Sequence, residues 1–172
     1  AGAVHQALLA ALRRRGWLGF DEEGEQLRAR VALLRRMEGD TWPDWSDDAL
    51  LDSLETWLEP YLEDARRLEQ VDRLPLGRLL LNRLDWQQQQ VLARLAPTHI
   101  QVASGSRVRL DYAEDPPVLA VKLQELFGIS ETPTVVGDRV PVMLHLLSPA
   151  RRPIQVTRDL ASFWRSTYFE VR

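Results

Sequence analysis

The 172 residues contain no cysteine. That absence removes a thiolate nucleophile, a cysteine-ligated zinc site and a disulfide framework together. Lysine is almost as scarce, with Lys122 the only one among 22 basic residues. Because Lys122 follows Ala120-Val121, no glycine-rich loop ends in Gly-Lys-Ser/Thr, and no Asp-Glu-x-Asp or Asp-Glu-x-His run is present to hold magnesium. ATP hydrolysis by the usual P-loop route is therefore not expected of this chain. The three histidines, His5, His99 and His145, share no ligand spacing. Ser104-Gly105-Ser106 does not have the form of a nucleophile elbow. No apolar run approaches the ~20 residues that span a bilayer. The start, Ala1-Gly2-Ala3-Val4-His5, lacks the basic and apolar regions of a secretory signal. The expectation is a cytoplasmic protein with no membrane partner, and with no catalytic, cofactor-binding or metal-ligating residue of its own.

What is present is ordinary for a folded chain, with 45% hydrophobic and 27% charged residues. The length fits one domain, or one domain plus a smaller helical lobe. The chain lacks an initiator methionine and ends within what reads as a helix, Leu160 to Arg172. Both features suggest a piece of a longer protein. The net charge of −3 divides as −4 over residues 1–96 and +1 over 97–172. Neither half has the basic excess of an autonomous nucleic-acid-binding domain.

Residues 1–96 read as helices. Val4, Leu8, Leu9 and Leu12 recur at helical spacing, Gly16 stops the run, and Arg13-Arg14-Arg15 suit the negative end of a helix dipole. Asp21 caps a second helix with Leu27, Val31 and Leu34 on one face, leaving Arg28, Arg30, Arg35 and Arg36 largely on a solvated one. Ser46 caps a third, whose stripe of Leu50, Leu51, Leu54, Trp57, Leu58 and Leu62 is kinked or divided by Pro60. A helix from about Pro75 to Arg83 follows, then one from Trp86 to Leu95 capped by Asp85. Pro97 closes this half.

The period then changes. Ile100-Gln101-Val102 and Val108-Arg109-Leu110-Asp111-Tyr112 alternate as half-buried strands around a Ser104-Gly105-Ser106 turn. Val118 to Val121 reads as a short strand that passes into a helix through Leu123, Leu126 and Phe127, stopped by Gly128. Thr134-Val135-Val136 and the strand from Val140 to Leu146 form a second hairpin around Gly137-Asp138, with Pro141 at a strand start or an edge. After the loop Ser148 to Pro153, Thr157 caps a last helix whose inward face is Leu160, Phe163, Trp164 and Tyr168.

The sites that stand out are arginines. Arg107 and Arg109 share a strand face with Asp111, Arg151 and Arg152 lie in the proline-bounded loop, and Arg158 and Arg165 lie about two turns apart on the last helix. If they converge, they suit a nucleic-acid backbone. The alternative is that they pair with Asp111, Asp115 and Asp159, with Trp164 in the core.

Ser104-Gly105-Ser106-Arg107, Pro116-Pro117-Val118-Leu119-Ala120-Val121, Leu123-Gln124-Glu125-Leu126-Phe127-Gly128 and Val140-Pro141-Val142 occur in that order. Leu146-Leu147-Ser148-Pro149-Ala150, Arg152-Pro153 and Thr157-Arg158-Asp159-Leu160-Ala161-Ser162-Phe163-Trp164 follow. This succession resembles the C-terminal region of HrpB-type bacterial ATP-dependent helicases, relatives of the DEAH-box RNA helicases. Trp42-Pro43-Asp44 and Leu54-Glu55 with Trp57-Leu58 are similar to the helical stretch of the same family. The resemblance implies a larger parent, with ATP, magnesium and the catalytic residues in motor domains upstream of residue 1. None of those residues transfers to a position here.

The expected fold is α+β: a helical lobe over 1–96, then a module over 97–172 with a small mixed or antiparallel sheet and two packed helices. An OB-like barrel is the alternative for the second part. The expected role is a non-catalytic accessory module. It would assist single-stranded RNA or DNA binding or steady the motor, with the upstream helicase domains of the same chain as partners. The alternative is a protein-docking module that touches no nucleic acid.

Overall fold

A computed structural model of the chain describes residues 2–166. Its contacts divide the chain into two compact units, the first ending at Leu92 and the second beginning at Ala93. The sequence reading set its boundary at Ala96, where Pro97 ends the helical pattern.

The first unit is helical: α1 (Gly2–Arg15), α2 (Glu22–Glu38), α3 (Asp47–Asp52), α4 (Leu54–Trp57), α5 (Leu68–Asp72), α6 (Leu76–Leu81) and α7 (Trp86–Leu95), which runs on into the second unit. The starts follow local chemistry. The Asp21 carboxylate accepts the Gly24 N–H at 2.8 Å, and the Ser46 hydroxyl accepts the Ala49 N–H. Asp85 and Gln88 exchange side-chain-to-backbone bonds as a capping box. Leu8, Leu9 and Leu12 of α1, and Leu27, Val31, Leu33 and Leu34 of α2, are buried. The helices α2 and α6 cross at two glycines. A Cβ on Gly77 would lie 2.9 Å from the Gly24 Cα, so this approach needs glycine.

Two expectations for this unit need correction, and one is extended. The stripe from Leu50 to Leu62 breaks at Ser53, before Pro60. The Ser53 hydroxyl donates to Ala49 O at 2.9 Å, and the Trp57 indole N–H donates to Leu50 O at 2.9 Å, so this carbonyl bonds outside a continuous helix. Pro60 then lies in a 3₁₀ turn, Glu59–Tyr61. The arginines at the end of α1 do more than meet a dipole. Arg13 binds Glu55 through two bonds and Leu51 O through a third, while Arg15 grips Asp72 and stacks 3.6 Å from the Trp17 ring. Arg28 is not a solvated residue either. Its side chain is 12% exposed, bonds Trp45 O and Asp47, and lies over Phe20.

The second unit is a mixed sheet: β1 (His99–Gln101), β2 (Arg107–Asp111), β3 (Val118–Lys122), β4 (Thr134–Val135), β5 (Val140–Pro141), β6 (Met143–Leu147) and β7 (Pro153–Thr157), then α8 (Leu160–Arg165). The main sheet has the order β1-β2-β3-β6-β7, with β4 and β5 as a separate pair. All neighbours in it are antiparallel except β3 and β6. Among the described residues no pairing joins β1 to β7, so the sheet is open, not an OB-like barrel. Together with the helical unit this is the α+β class expected.

The inner side of the sheet carries Leu110, Leu119, Val121, Leu144 and Leu146, and α8 adds Leu160 and Phe163 to the buried set. The segment after β3 is a 3₁₀ turn, Leu123–Leu126, not an α-helix. The strand expected from Val140 to Leu146 is two strands in different sheets. They separate at Val142, whose N–H goes to Pro133 O while that of Met143 goes to Pro117 O. Residues 153–157, of which the sequence reading gave Pro153 to a loop and Thr157 to a cap, are the edge strand β7, and Asp159 rather than Thr157 caps α8, accepting the Ser162 N–H at 2.9 Å. Pro153 is tolerated because it starts an edge strand.

Candidate nucleic-acid interface

The β1–β2 hairpin turns at Gly105, whose φ of 92° only glycine adopts easily. The turn closes through Val102 N–H to Ser106 O and Gly105 N–H to Val102 O, each 2.9 Å. It sets the alternation of β2, in which Arg107, Arg109 and Asp111 face solvent and Leu110 is buried.

Register decides which cations meet. Leu110 pairs with Leu119 and Asp111 with Val118, so antiparallel β2 places Arg107 at the level where β3 ends, at Lys122. Lys122 in turn pairs with Leu147, the last residue of β6. The next residues form the turn that carries Arg151 and Arg152. Ser148 organises that turn: its N–H donates to Arg152 O at 2.8 Å, its carbonyl accepts the Arg151 N–H at 2.8 Å, and its hydroxyl accepts the Arg152 N–H at 3.1 Å. Arg151 holds a φ of 62° there, a conformation uncommon outside glycine. Both arginines are exposed.

Arg107, Lys122, Arg151 and Arg152 thus lie at one end of the sheet. None of their side chains meets a carboxylate among the described residues. Glu125 lies at this end too, and its carboxylate accepts from the Ser104 hydroxyl at 3.4 Å. Arg109 is two residues along the strand from Arg107, on the same face, and Arg109 and Asp111 each have interactions within the fold.

The other two candidates lie elsewhere. Thr157 pairs with Leu144 near the start of β6, so Arg158 is at the opposite end of the sheet, where its guanidinium reaches toward Pro141 O at 3.5 Å. Arg165 is exposed in the last turn of α8. The sequence reading counted Lys122 only as the absence of a P-loop. Its position last in an alternating strand was the available signal.

Trp164 differs from its expected place in the core. Adjacent helical residues are ~100° apart, and Phe163 takes the inward direction, 2% exposed. Trp164 is half-buried, donates its indole N–H to Ile129 O at 2.8 Å, and tilts against Phe127 at 6.0 Å. Tyr168, the remaining member of the expected face, and the rest of the stretch expected to be helical as far as Arg172 lie outside the described residues.

Among the described residues no group of three or more His, Asp or Glu side chains could hold a metal ion. No described helix is long and apolar enough to cross a membrane.

The family model for the C-terminal region of ATP-dependent helicases, HrpB_C, matches residues 57–172. The ATP-dependent RNA helicase HrpB of Escherichia coli K12 is 43% identical over 98% of this chain, which covers 21% of that protein. The crystal structure of the E. coli DExH-box NTPase HrpB superposes with a TM-score of 0.91 at 43% identity, over 97% of this chain and 21% of that one. A second crystal structure, of the E. coli DEAH/RHA helicase HrpB, gives 0.84 at 41% identity, over 98% and 22%. The chain therefore spans about a fifth of the length of the relatives it matches.

Proposed function

The chain belongs to the HrpB-type ATP-dependent helicase C-terminal family, and from that premise we propose that it is a non-catalytic accessory module that holds single-stranded nucleic acid by its backbone. In this reading ATP and magnesium are used by upstream helicase domains of the same protein, which are also this module's partners. The E. coli relative is named as an RNA helicase, which makes RNA the first strand to test.

One observation carries the proposal: Arg107 of β2, Lys122 of β3, and Arg151 and Arg152 of the turn after β6 are gathered at one end of the sheet, and among the described residues none of their side chains meets a carboxylate. Cations gathered at one end of a sheet repel one another, and a polyanion relieves that repulsion. Arg158 and Arg165 contribute less in this reading, because the topology sets Arg158 at the far end of the sheet and Arg165 on α8. A net charge of −3 limits the affinity of the chain alone.

The test is a salt titration with a labelled single-stranded RNA. Four phosphate contacts give a slope of about −2.8 in log K against log salt, at ~0.7 per contact for single strands. Affinity then falls roughly fifty-fold between 50 and 200 mM salt. Arg107→Ala/Lys122→Ala and Arg151→Ala/Arg152→Ala should each halve that slope. If both remain folded and bind with the parent's slope, the backbone reading fails and a protein-docking role takes its place.

A further inference from the structure

The main sheet ends on two edge strands, β1 and β7, and β7 is the longer, five residues against three. The direction of its backbone groups follows from its neighbour. The Met143 N–H donates to Pro117 O, on the β3 side of β6. Successive residues of a strand bond to opposite sides, so Leu144 and Leu146 turn to β7, where they pair with Thr157 and Gln155. Val156 lies between these two and therefore directs its own N–H and C=O away from β6. Among the described residues no backbone group bonds there. The edge stops at Arg158, whose carbonyl accepts the Thr132 hydroxyl at 2.8 Å.

Sheet edges are ordinarily blunted by charge, proline or a bulge. Here Pro153 and the irregularity opposite Leu146 and Leu147 guard only the start of the strand. Ile154, Gln155, Val156 and Thr157 carry no charge, and Val156 is 57% exposed. Cations stand at both ends instead. Arg151 and Arg152 precede the strand, and Arg158 follows it, roughly 20 Å from Arg152. None of the three forms an ion pair among the described residues, and Asp159, next to Arg158, is turned to the Ser162 N–H of α8. An outward N–H beside an outward C=O matches another peptide backbone. Phosphate oxygens accept but do not donate, so they satisfy only half of this edge.

Beyond the nucleic-acid reading, we infer that β7 is a strand-addition site for an extended segment of a partner protein, apolar on alternate residues at its centre and acidic at both ends. The segment pairs its backbone with Val156 and sets an apolar side chain beside it on the same face. Its carboxylates meet Arg151 and Arg152 at one end and Arg158 at the other. Backbone bonds supply the adhesion, and the charges choose the partner. Two copies of β7 paired edge to edge bring arginines against arginines, which disfavours a second copy of this chain.

The experiment titrates the 172-residue chain into two fluorescein-labelled eight-residue peptides, by anisotropy at neutral pH and low salt. Both have the same alternating valine–threonine centre of four residues; one carries two glutamates at each end and the other two lysines. The expected result is about tenfold tighter binding of the glutamate peptide, since three exposed attractions become repulsions in the other. Amide hydrogen exchange at Val156, fast in the free chain, should slow about tenfold or more with the glutamate peptide. Val156→Pro removes the outward N–H without touching the ladder to β6, a change an edge strand tolerates, and should abolish binding. Equal affinity for the two peptides, or none for either, overturns the proposal. So does binding of the glutamate peptide that leaves the Val156 amide unprotected or survives in folded Val156→Pro, since the arginines alone then hold it. Protection of Val156 by ten-nucleotide oligouridylate RNA and not by the peptide gives the edge to RNA, and protection that rises with the chain's own concentration gives it to a second copy; either overturns the proposal. The two peptides and the exchange measurement on the unaltered chain decide the matter even if the variant does not fold.

Discussion

Alanine in place of Gly77 should destabilise the helical unit, although alanine is the better helix former. Gly77 lies within α6, where alanine gains ~1 kcal/mol over glycine in intrinsic propensity. Against that stands the crossing with α2. The added Cβ would lie 2.9 Å from the Gly24 Cα and 3.6 Å from its nitrogen. The clashing atoms are backbone, so no side chain can swing aside and the crossing itself must open. That loosens Leu27 of α2 and Leu80 of α6, both buried. Overpacking of this kind costs ~1–3 kcal/mol, and the upper part of that range applies where backbone must move. The net expectation is a loss of ~1–2 kcal/mol, read as a urea midpoint lower by roughly 0.5–1 M for a slope near 2 kcal/mol/M. Tryptophan fluorescence reports on the right unit, because Trp17, Trp42, Trp45, Trp57 and Trp86 all precede Leu92. Gly2→Ala on α1, where a Cβ meets nothing within 4 Å, is the control and should be neutral or slightly stabilising. A Gly77→Ala midpoint equal to or above the parent's would show that the two helices do not pack backbone to backbone.

The aromatic pair at the end of α8 gives an opposite ranking to residue size. Phe163→Ala should cost ~3–5 kcal/mol, and Trp164→Ala clearly less, because Phe163 is in the core and Trp164 only half-buried; far-UV denaturation curves that reverse this order would refute the assignment. The Arg13 guanidinium holds the Glu55 carboxyl below its ordinary range, and the Ser46 backbone N–H does the same for Asp44. A carboxyl with a depressed folded-state value contributes stability that is fully present above the ordinary carboxylate range and is lost as pH falls through the depressed value. The helical unit should therefore weaken on acidification, and Glu55→Gln should flatten part of that dependence; identical acid titrations of the two proteins would show that the Arg13 pair contributes nothing.

Local chemistry made much of the first unit legible. Asp21, Ser46 and Asp85 announce helix starts because a cap bonds to N–H groups two or three residues away, and nothing distant is needed. The alternation around Gly105 announces β2 in the same way, and with it the shared face of Arg107 and Arg109. Other features had no local signal. Leu50 O is taken by the Trp57 indole, a bond seven residues long that exists only once the chain has turned. Strand β7 begins on a proline and is stabilised by pairing with β6, so its residues carry weak strand preference by themselves. Gly77 looks like an unfavourable helix residue until Gly24, fifty-three positions earlier, is brought against it.

The sequence by itself determined the class of the fold: helices and then strands, with ordered segments that resemble one helicase family. It also determined which arginines face out, because a strand's side chains alternate whatever lies beside it. Which cations stand together was decided only by tertiary structure. Lys122 joins Arg107 because β2 runs antiparallel to β3, and Arg151 and Arg152 join them because β6 runs parallel to β3 and ends at the same edge. Arg158 is carried to the other end by the return of β7. Strand direction and register are set by pairing between residues far apart in the chain, and no short-range pattern encodes them.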